Sequence, residues 1–318
     1  MRVNFILLIF TNNMQTLTSI SRIFNNKNLK RIVNVYQMKY KNGVAQGLGD
    51  YIRGCFCLLQ ICAMLGLTFD MDLTNHPMSK YLISDSSSSE KENVDYSSVS
   101  RYENTNYIPV NSKVYTTNSQ NFLMEFVNNM NSFSSSETFY TFCHSFPMFD
   151  VQDVGRKFIL RKLLPNDLMR EKIVACLDRL ELVPKRFAVI HIRSGDRYLL
   201  KNNMLNSQVV KKIVGVLSKN MKPGTKYLIL SDNNQIKALL KSIFPQVVIK
   251  STKIAHLGES VNPDDDSIME TLLDFYLMSN AFQIISFSPY NWGSGFSKWC
   301  SVLYKIPYTQ IQVLDKLS

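Results

Sequence analysis

Three short polar clusters in the second half of the chain carry the residue types that chemistry needs, and each closes or directly follows an apolar run. His191, Arg193 and Asp196 end Phe187-Ala-Val-Ile-His-Ile-Arg-Ser-Gly-Asp196, and Ser231-Asp-Asn-Asn234 follows Tyr227-Leu-Ile-Leu230. The third is Ser286-Phe-Ser-Pro-Tyr-Asn-Trp-Gly-Ser-Gly295. A guanidinium is planar and permanently charged, so Arg193 suits an anion such as a diphosphate. Gly293, Ser294 and Gly295 precede a segment of helical pattern. The first amides of such a helix are unpaired, and together with nearby hydroxyls they can hold a phosphate. Capping of that helix by Ser294 is the alternative, although a cap alone does not require flanking glycines.

Other candidates carry less. Gly47-Leu-Gly49-Asp50 is a short relative of the glycine loops that approach nucleotides or sugars, without their full spacing. Asp70-Met-Asp72 imitates a metal site, yet in an alternating strand both carboxylates share one face near the strand end, where solvated Asp is common. No metal is assigned. Asp264-Asp-Asp266 stands where carboxylates cap a helix and meet its positive end. His256 and Glu259 follow a strand without a spacing that assigns them. Cys55, Cys57, Cys62, Cys143, Cys176 and Cys300 lie mostly in apolar segments and read as buried thiols.

Residues at strand ends need strands to position them. Arg31–Met38 alternates as a strand, Asn42–Gly49 is a glycine loop, Asp50–Leu65 a helix and Leu67–Leu73 a second strand. That is the unit from which doubly wound domains are assembled. Ser84–Asn104 and Asn128–Glu137 are polar and read as mobile loops or an insertion. Pro165–Leu180 is a helix with Pro at its start. Strands then alternate with helices: Phe187–Ile192, Ser207–Leu217, Tyr227–Leu230, Gln235–Ile243, Val247–Ile249, Ser267–Asn280, Gln283–Phe287 and Phe296–Tyr304. Such alternation implies a parallel sheet with all three clusters at its carboxyl edge.

At 318 residues and 45% apolar content the chain is long enough for two domains of about 150 residues each. The division expected is a leader over 1–30, a Rossmann-like domain over 31–165 and a second over 166–318. The formal charge of +11 is scattered along the sequence and no basic-aromatic recognition motif accompanies it, so nucleic acid is not an expected partner. Phe5–Phe10 is too short to span a bilayer and lacks a cleavage site, no transmembrane segment is expected, and no Asn-x-Ser/Thr triplet occurs. The expected location is the cytoplasm.

Taken together, these segments resemble the fucosyltransferase superfamily of GT-B glycosyltransferases, which includes α-1,2-, α-1,6- and protein O-fucosyltransferases. His191-Ile-Arg-Ser-Gly-Asp196 is similar to that group's His-x-Arg-Arg-Gly-Asp motif, and Ser231-Asp-Asn233 to its second motif. Asp274–Ser288 with Trp292 and Gly293 resembles the third, and Gly47–Gly54 the amino-terminal glycine loop and following helix. The resemblance runs from about Arg31 to Tyr304.

It implies an α/β protein of GT-B architecture, with two Rossmann-like domains whose parallel sheets face a cleft. It also implies an inverting, metal-independent transfer of fucose from GDP-fucose to a glycan hydroxyl, with no cofactor beyond that donor substrate. The first domain would lie on the acceptor side. On this resemblance Arg193 neutralises the diphosphate and His191 borders the nucleotide. Asp232 and the adjacent Asn233 contact the donor's base or ribose, and Ser286, Ser288, Gly293, Ser294 and Gly295 bind phosphate. Gly47, Gly49 and Arg53 form the glycine-loop region, and Asp196 and Asp50 are candidates for the base. Ser194 stands where many members carry a second Arg, which keeps two alternatives open: a GT-B transferase using another nucleotide sugar, and a nucleotide- or glycan-binding pseudoenzyme.

Overall fold

The computed structural model describes residues 21–40, 43–44, 47–83, 100–102, 117–133, 137–147, 150–193, 200–201, 204–250, 264–289 and 293–313. Among these residues, those within Met1–Gln46, Asp50–Ser79 and Ser84–Leu164 form one compact unit. Those within Gly47–Gly49, Lys80–Ile83 and Pro165–Ser318 form the other, so the glycines of the amino-terminal loop pack with the second unit.

The elements of the first unit run β1 (Arg31–Val35), β2 (Lys39–Tyr40), β3 (Gly43–Val44), α1 (Leu48–Leu65), β4 (Thr68–Asp72), β5 (Ser100–Tyr102), α2 (Thr117–Ser132), β6 (Thr138–Cys143) and α3 (Asp153–Lys162). Four strands make a parallel sheet in the order β4-β1-β6-β5, and β2 and β3 form a small antiparallel hairpin. Helix α1 is long and apolar enough to cross a bilayer, but 67% of it is buried within the fold. Its Cys57, Leu58, Ile61 and Cys62 pack against Ile32 of β1 and Phe126 of α2, as a core helix does. Gly54 lets it dock closely, since a β-carbon there would overlap the Cys143 carbonyl.

Two polar stretches expected as loops contain structure. Helix α2 runs into the Asn-rich stretch because Leu123, Phe126, Val127 and Met130 recur at helical spacing, and all four are fully buried. The asparagines then tie the helix end to the entering chain: Asn26 Nδ2 donates to the Met130 carbonyl at 2.7 Å, and Asn131 Nδ2 to the Ile23 carbonyl at 2.9 Å. Strand β5 lies within the Ser-rich stretch and pairs with the carboxyl half of β6. The remainder, 84–99 and 103–104, lies outside the described residues.

The second unit contains α4 (Asp167–Arg179), β7 (Phe187–Ile192), β8 (Leu200–Lys201), β9 (Met204–Leu205), α5 (Ser207–Asn220), β10 (Lys226–Ser231), α6 (Asn234–Ile243), β11 (Val247–Ile249), α7 (Asp265–Ser279), β12 (Gln283–Ser288), α8 (Gly295–Tyr304) and β13 (Tyr308–Gln312). Its five-stranded sheet is parallel, in the order β11-β10-β7-β12-β13. Central β7 is buried along its whole length, as a strand covered on both faces must be. Ala188, Ile190 and Ile192 pack with Val209, Ile213 and Leu217 of α5 and with Ile236 and Leu240 of α6. Each of these valine, isoleucine and leucine side chains contributes roughly 1.5–3 kcal/mol by leaving water. At the start of α4 the cap is Asn166, whose side chain accepts from the Met169 amide at 3.0 Å, and Pro165 precedes it. Strand β13 was not foreseen, because Tyr308-Thr-Gln-Ile-Gln312 has too little apolar alternation to read as one.

Candidate functional site

The register of the second sheet aligns the three polar clusters. His191 stands opposite Leu230 of β10 and opposite Ser286 of β12, so the strands end at one level. Beyond β7 the chain moves through β10 to β11, then crosses to β12 and β13 on the other side. Strand order therefore reverses between β7 and β12, the place where an open parallel sheet leaves a crevice for ligands.

Arg193 sits at that point. Its amide donates to the Phe287 carbonyl at 2.9 Å, which extends the β7–β12 ladder, and its guanidinium meets Asp232 at 3.0 Å. The Arg193 side chain keeps 26% of its exposure and Asp232 keeps 12%, so both still reach solvent. His191 is 7% exposed, and among the described residues its Nδ1 has no hydrogen-bond partner. Burial pushes the imidazole down to about 4, with Asp232 pulling it up and Arg193 pushing it down further, so it is neutral at physiological pH. Its ring lies 5.9 Å from that of Phe296 in the first turn of α8.

That first turn is built from the third cluster. Ser294 occupies the cap position but makes no side-chain cap hydrogen bond, so the capping alternative does not account for it. Gly293 has φ +82, and a β-carbon there would run into the Gln310 carboxamide of β13. A β-carbon on Gly49 would overlap the Gly295 backbone, so the chain at Gly49, itself part of the second unit, lies against the first residue of α8. The N-terminus of α8, which carries partial positive charge, thus lies at the edge of β7 and β12 that holds Arg193. Ser286 and Ser288 are fully buried, and Ser286 Oγ lies 3.0 Å from Ser297 Oγ, anchoring α8 to β12.

Other expected site residues have structural partners. The Asn233 side chain accepts from the amides of Gln235 and Ile236 at 2.9 and 3.1 Å, capping α6. Asp264 caps α7 by accepting from the Ser267 amide at 2.7 Å. Asp70 pairs with Arg31 and, at 2.8 Å, with Lys162. In the first unit Asp50 pairs with Arg53 at 3.1 Å, and Arg53 Nε donates to the His144 carbonyl at 2.6 Å with its guanidinium over the Phe146 ring. Asp196, Ser194, Trp292, His256 and Glu259 lie outside the described residues.

Three contributors were missed. Asn34 exchanges hydrogen bonds with Cys143, whose amide donates to Asn34 Oδ1 at 2.8 Å while Asn34 Nδ2 donates to the Cys143 carbonyl at 3.2 Å. A lone amide inside Ile32-Val-Asn-Val35 was the signal available. Ser297 hides one turn into an apolar helix, and Gln310 lies on the unforeseen β13.

No protein-family model and no curated protein sequence matches the chain. Solved structures do. The fucosyltransferase NodZ from Bradyrhizobium is 14% identical with a TM-score of 0.51, over 86% of this chain and 93% of that one. A NodZ alpha-1,6-fucosyltransferase co-crystallized with GDP is 13% identical with a TM-score of 0.50, over 86% and 92%. A mutant of Arabidopsis thaliana FUT1 in complex with GDP is 9% identical with a TM-score of 0.52, over 93% and 74%. The chain therefore has the GT-B fold of the fucosyltransferases, built on two parallel Rossmann-like sheets, as its motifs led one to expect.

Proposed function

We propose that the protein is a glycosyltransferase that moves fucose from GDP-fucose to a glycan hydroxyl, inverting the anomeric carbon and using no metal ion. The observation that supports this most is Arg193 at the switch point of the second sheet, at the edge where α8 begins without a side-chain cap. In this reading the acceptor oxygen attacks the anomeric carbon from the face opposite GDP. The bond from that carbon to the β-phosphate oxygen breaks, and its electron pair leaves with GDP. Arg193 and the α8 amides meet that charge as it develops, the duty a metal ion performs elsewhere. The acceptor proton passes to a carboxylate, for which Asp196 and Asp50 are the candidates. Donor binding would rest on the second unit and acceptor binding on the first. Two of the solved structures of like fold hold GDP, which favours a guanine nucleotide.

Thermal shift with GDP, UDP and CMP tests the donor, with GDP expected to stabilise most. Acceptor-dependent release of GDP from GDP-fucose should vanish in Arg193→Ala while the fold persists. Equal stabilisation by all three nucleotides would sink the donor assignment, and tight GDP binding without turnover on any sugar donor would establish the pseudoenzyme instead.

A further inference from the structure

Behind the strand-end clusters, the second unit gathers four charged side chains, two of them buried lysines, that the donor reading leaves without a task. Lys237 on α6 and Lys250, just past β11, are each 3% exposed. Lys250 Nζ meets both Glu270 and Asp274 of α7 at 2.6 Å, and Lys237 Nζ donates to the Lys250 carbonyl at 3.0 Å. Burying ammonium groups is costly, and an apolar side chain would often serve packing as well or better. Their place in the fold suggests what they do.

Strand register locates them. Ile249 pairs with Ile229, so Lys250 stands level with Leu230, two residues before Asp232. Lys237 lies one turn beyond Asn233, the cap of α6, so its Nζ is fastened beneath the carboxyl end of β10. Burial lowers the Lys237 pKa, while the facing carboxylates of Asp274, Asp232 and Glu270 raise it and Lys250 lowers it. Two carboxylates grip one ammonium in the Lys250 knot, where burial raises the Asp274 pKa against the pull of Lys250 and Lys237, and Lys237 is the second cation beside that acidic pair. Without Lys237 that pair would add to Asp232 and oppose any anion approaching Arg193.

We propose that Lys237 is a positioning residue for anion binding, a buried counter-charge to Asp232 and the acidic pair of α7 that leaves Arg193 open to an incoming diphosphate. The proposal rests on the donor reading above. At an effective dielectric of about 20, one unit charge roughly 12 Å from an anion changes its affinity by about tenfold.

Calorimetry on the full chain with inorganic pyrophosphate, GDP and guanosine tests it. Lys237→Met should weaken pyrophosphate and GDP about tenfold and leave guanosine unchanged. Lys237→Gln, which retains a donor for the Lys250 carbonyl without the charge, should do the same and serves if the Met variant fails to fold. In an Asp232→Asn background either change should cost less than about threefold, because the two charges are coupled. Equal losses in both backgrounds, or a matching loss for guanosine, would show a purely structural lysine. A wild-type chain that binds pyrophosphate and GDP while both variants bind equally well overturns this proposal alone. One that binds neither overturns the donor reading, and this with it.

Discussion

The carboxyl edges of the two parallel sheets are built from similar parts and put them to different uses. At the edge of the first unit several polar groups bond to one another. Asn34 closes on the Cys143 backbone, Tyr51 donates to the Asn34 carbonyl at 2.9 Å, and Arg53 is spent on Asp50 and the His144 carbonyl. At the edge of the second, His191 keeps an unpaired Nδ1 among the described residues, α8 begins without a side-chain cap, and the Arg193–Asp232 pair reaches solvent. Hydrogen bonds that close on one another favour a rigid scaffold. Unspent donors next to a fixed cation leave capacity for an anion. Fold alone therefore does not single out one sheet edge, whereas the polar groups at the second edge favour it as the proposed donor site.

The contrast can be broken at either edge. Gly54→Ala should have the largest effect, because α1 cannot dock on Cys143 with a β-carbon in the way. A loss of about 4 kcal/mol or more is expected in chemical denaturation, and a loss under about 1 kcal/mol would show that the first edge is less rigid than described. Arg193→Gln should lower donor turnover about 10²–10³-fold while shifting Tm by no more than about 2 °C. A large shift in Tm would make Arg193 part of the scaffold.

The buried imidazole sharpens the comparison through pH. An unfolded histidine binds its proton near the ordinary value of 6.5, whereas folded His191 does so only near 4. Its contribution is therefore full above pH 6.5, and about 3 kcal/mol is lost as the pH falls to 4. Urea denaturation of wild type against His191→Gln across that window isolates the effect, and parallel curves would refute it.

Smaller effects follow. Asn34→Ala strands the buried Cys143 amide and should cost about 2 kcal/mol of stability. Asn233→Ala should cost about 1 kcal/mol, recovered by Asn233→Ser, since either hydroxyl or amide caps a helix. Were GDP affinity to fall in Asn233→Ser with stability intact, Asn233 would belong to the donor site after all.

How much of this was legible depended on how locally each feature is encoded. The alternation of the second half is strong because parallel strands are continuous apolar runs, and its strands and helices fall within a few residues of the expected bounds. Helix α2 was harder, since its buried face is diluted by asparagines that bond to a distant segment. Strand β13 forms only because β12 offers it a ladder.

The site divides in the same way. Residue types and their position after apolar runs determined, from sequence alone, that His191, Arg193, Asp232 and the Gly293–Gly295 loop would end parallel strands or open a helix, because strand length and glycine placement are local properties. Only the tertiary structure decided that Asp232 pairs with Arg193, that Asn233 is spent as a cap, that Gly49 abuts Gly295 and that Lys237 is buried behind the edge. Each of those depends on which strands neighbour which, and sheet order is a property of packing that no stretch of sequence carries by itself.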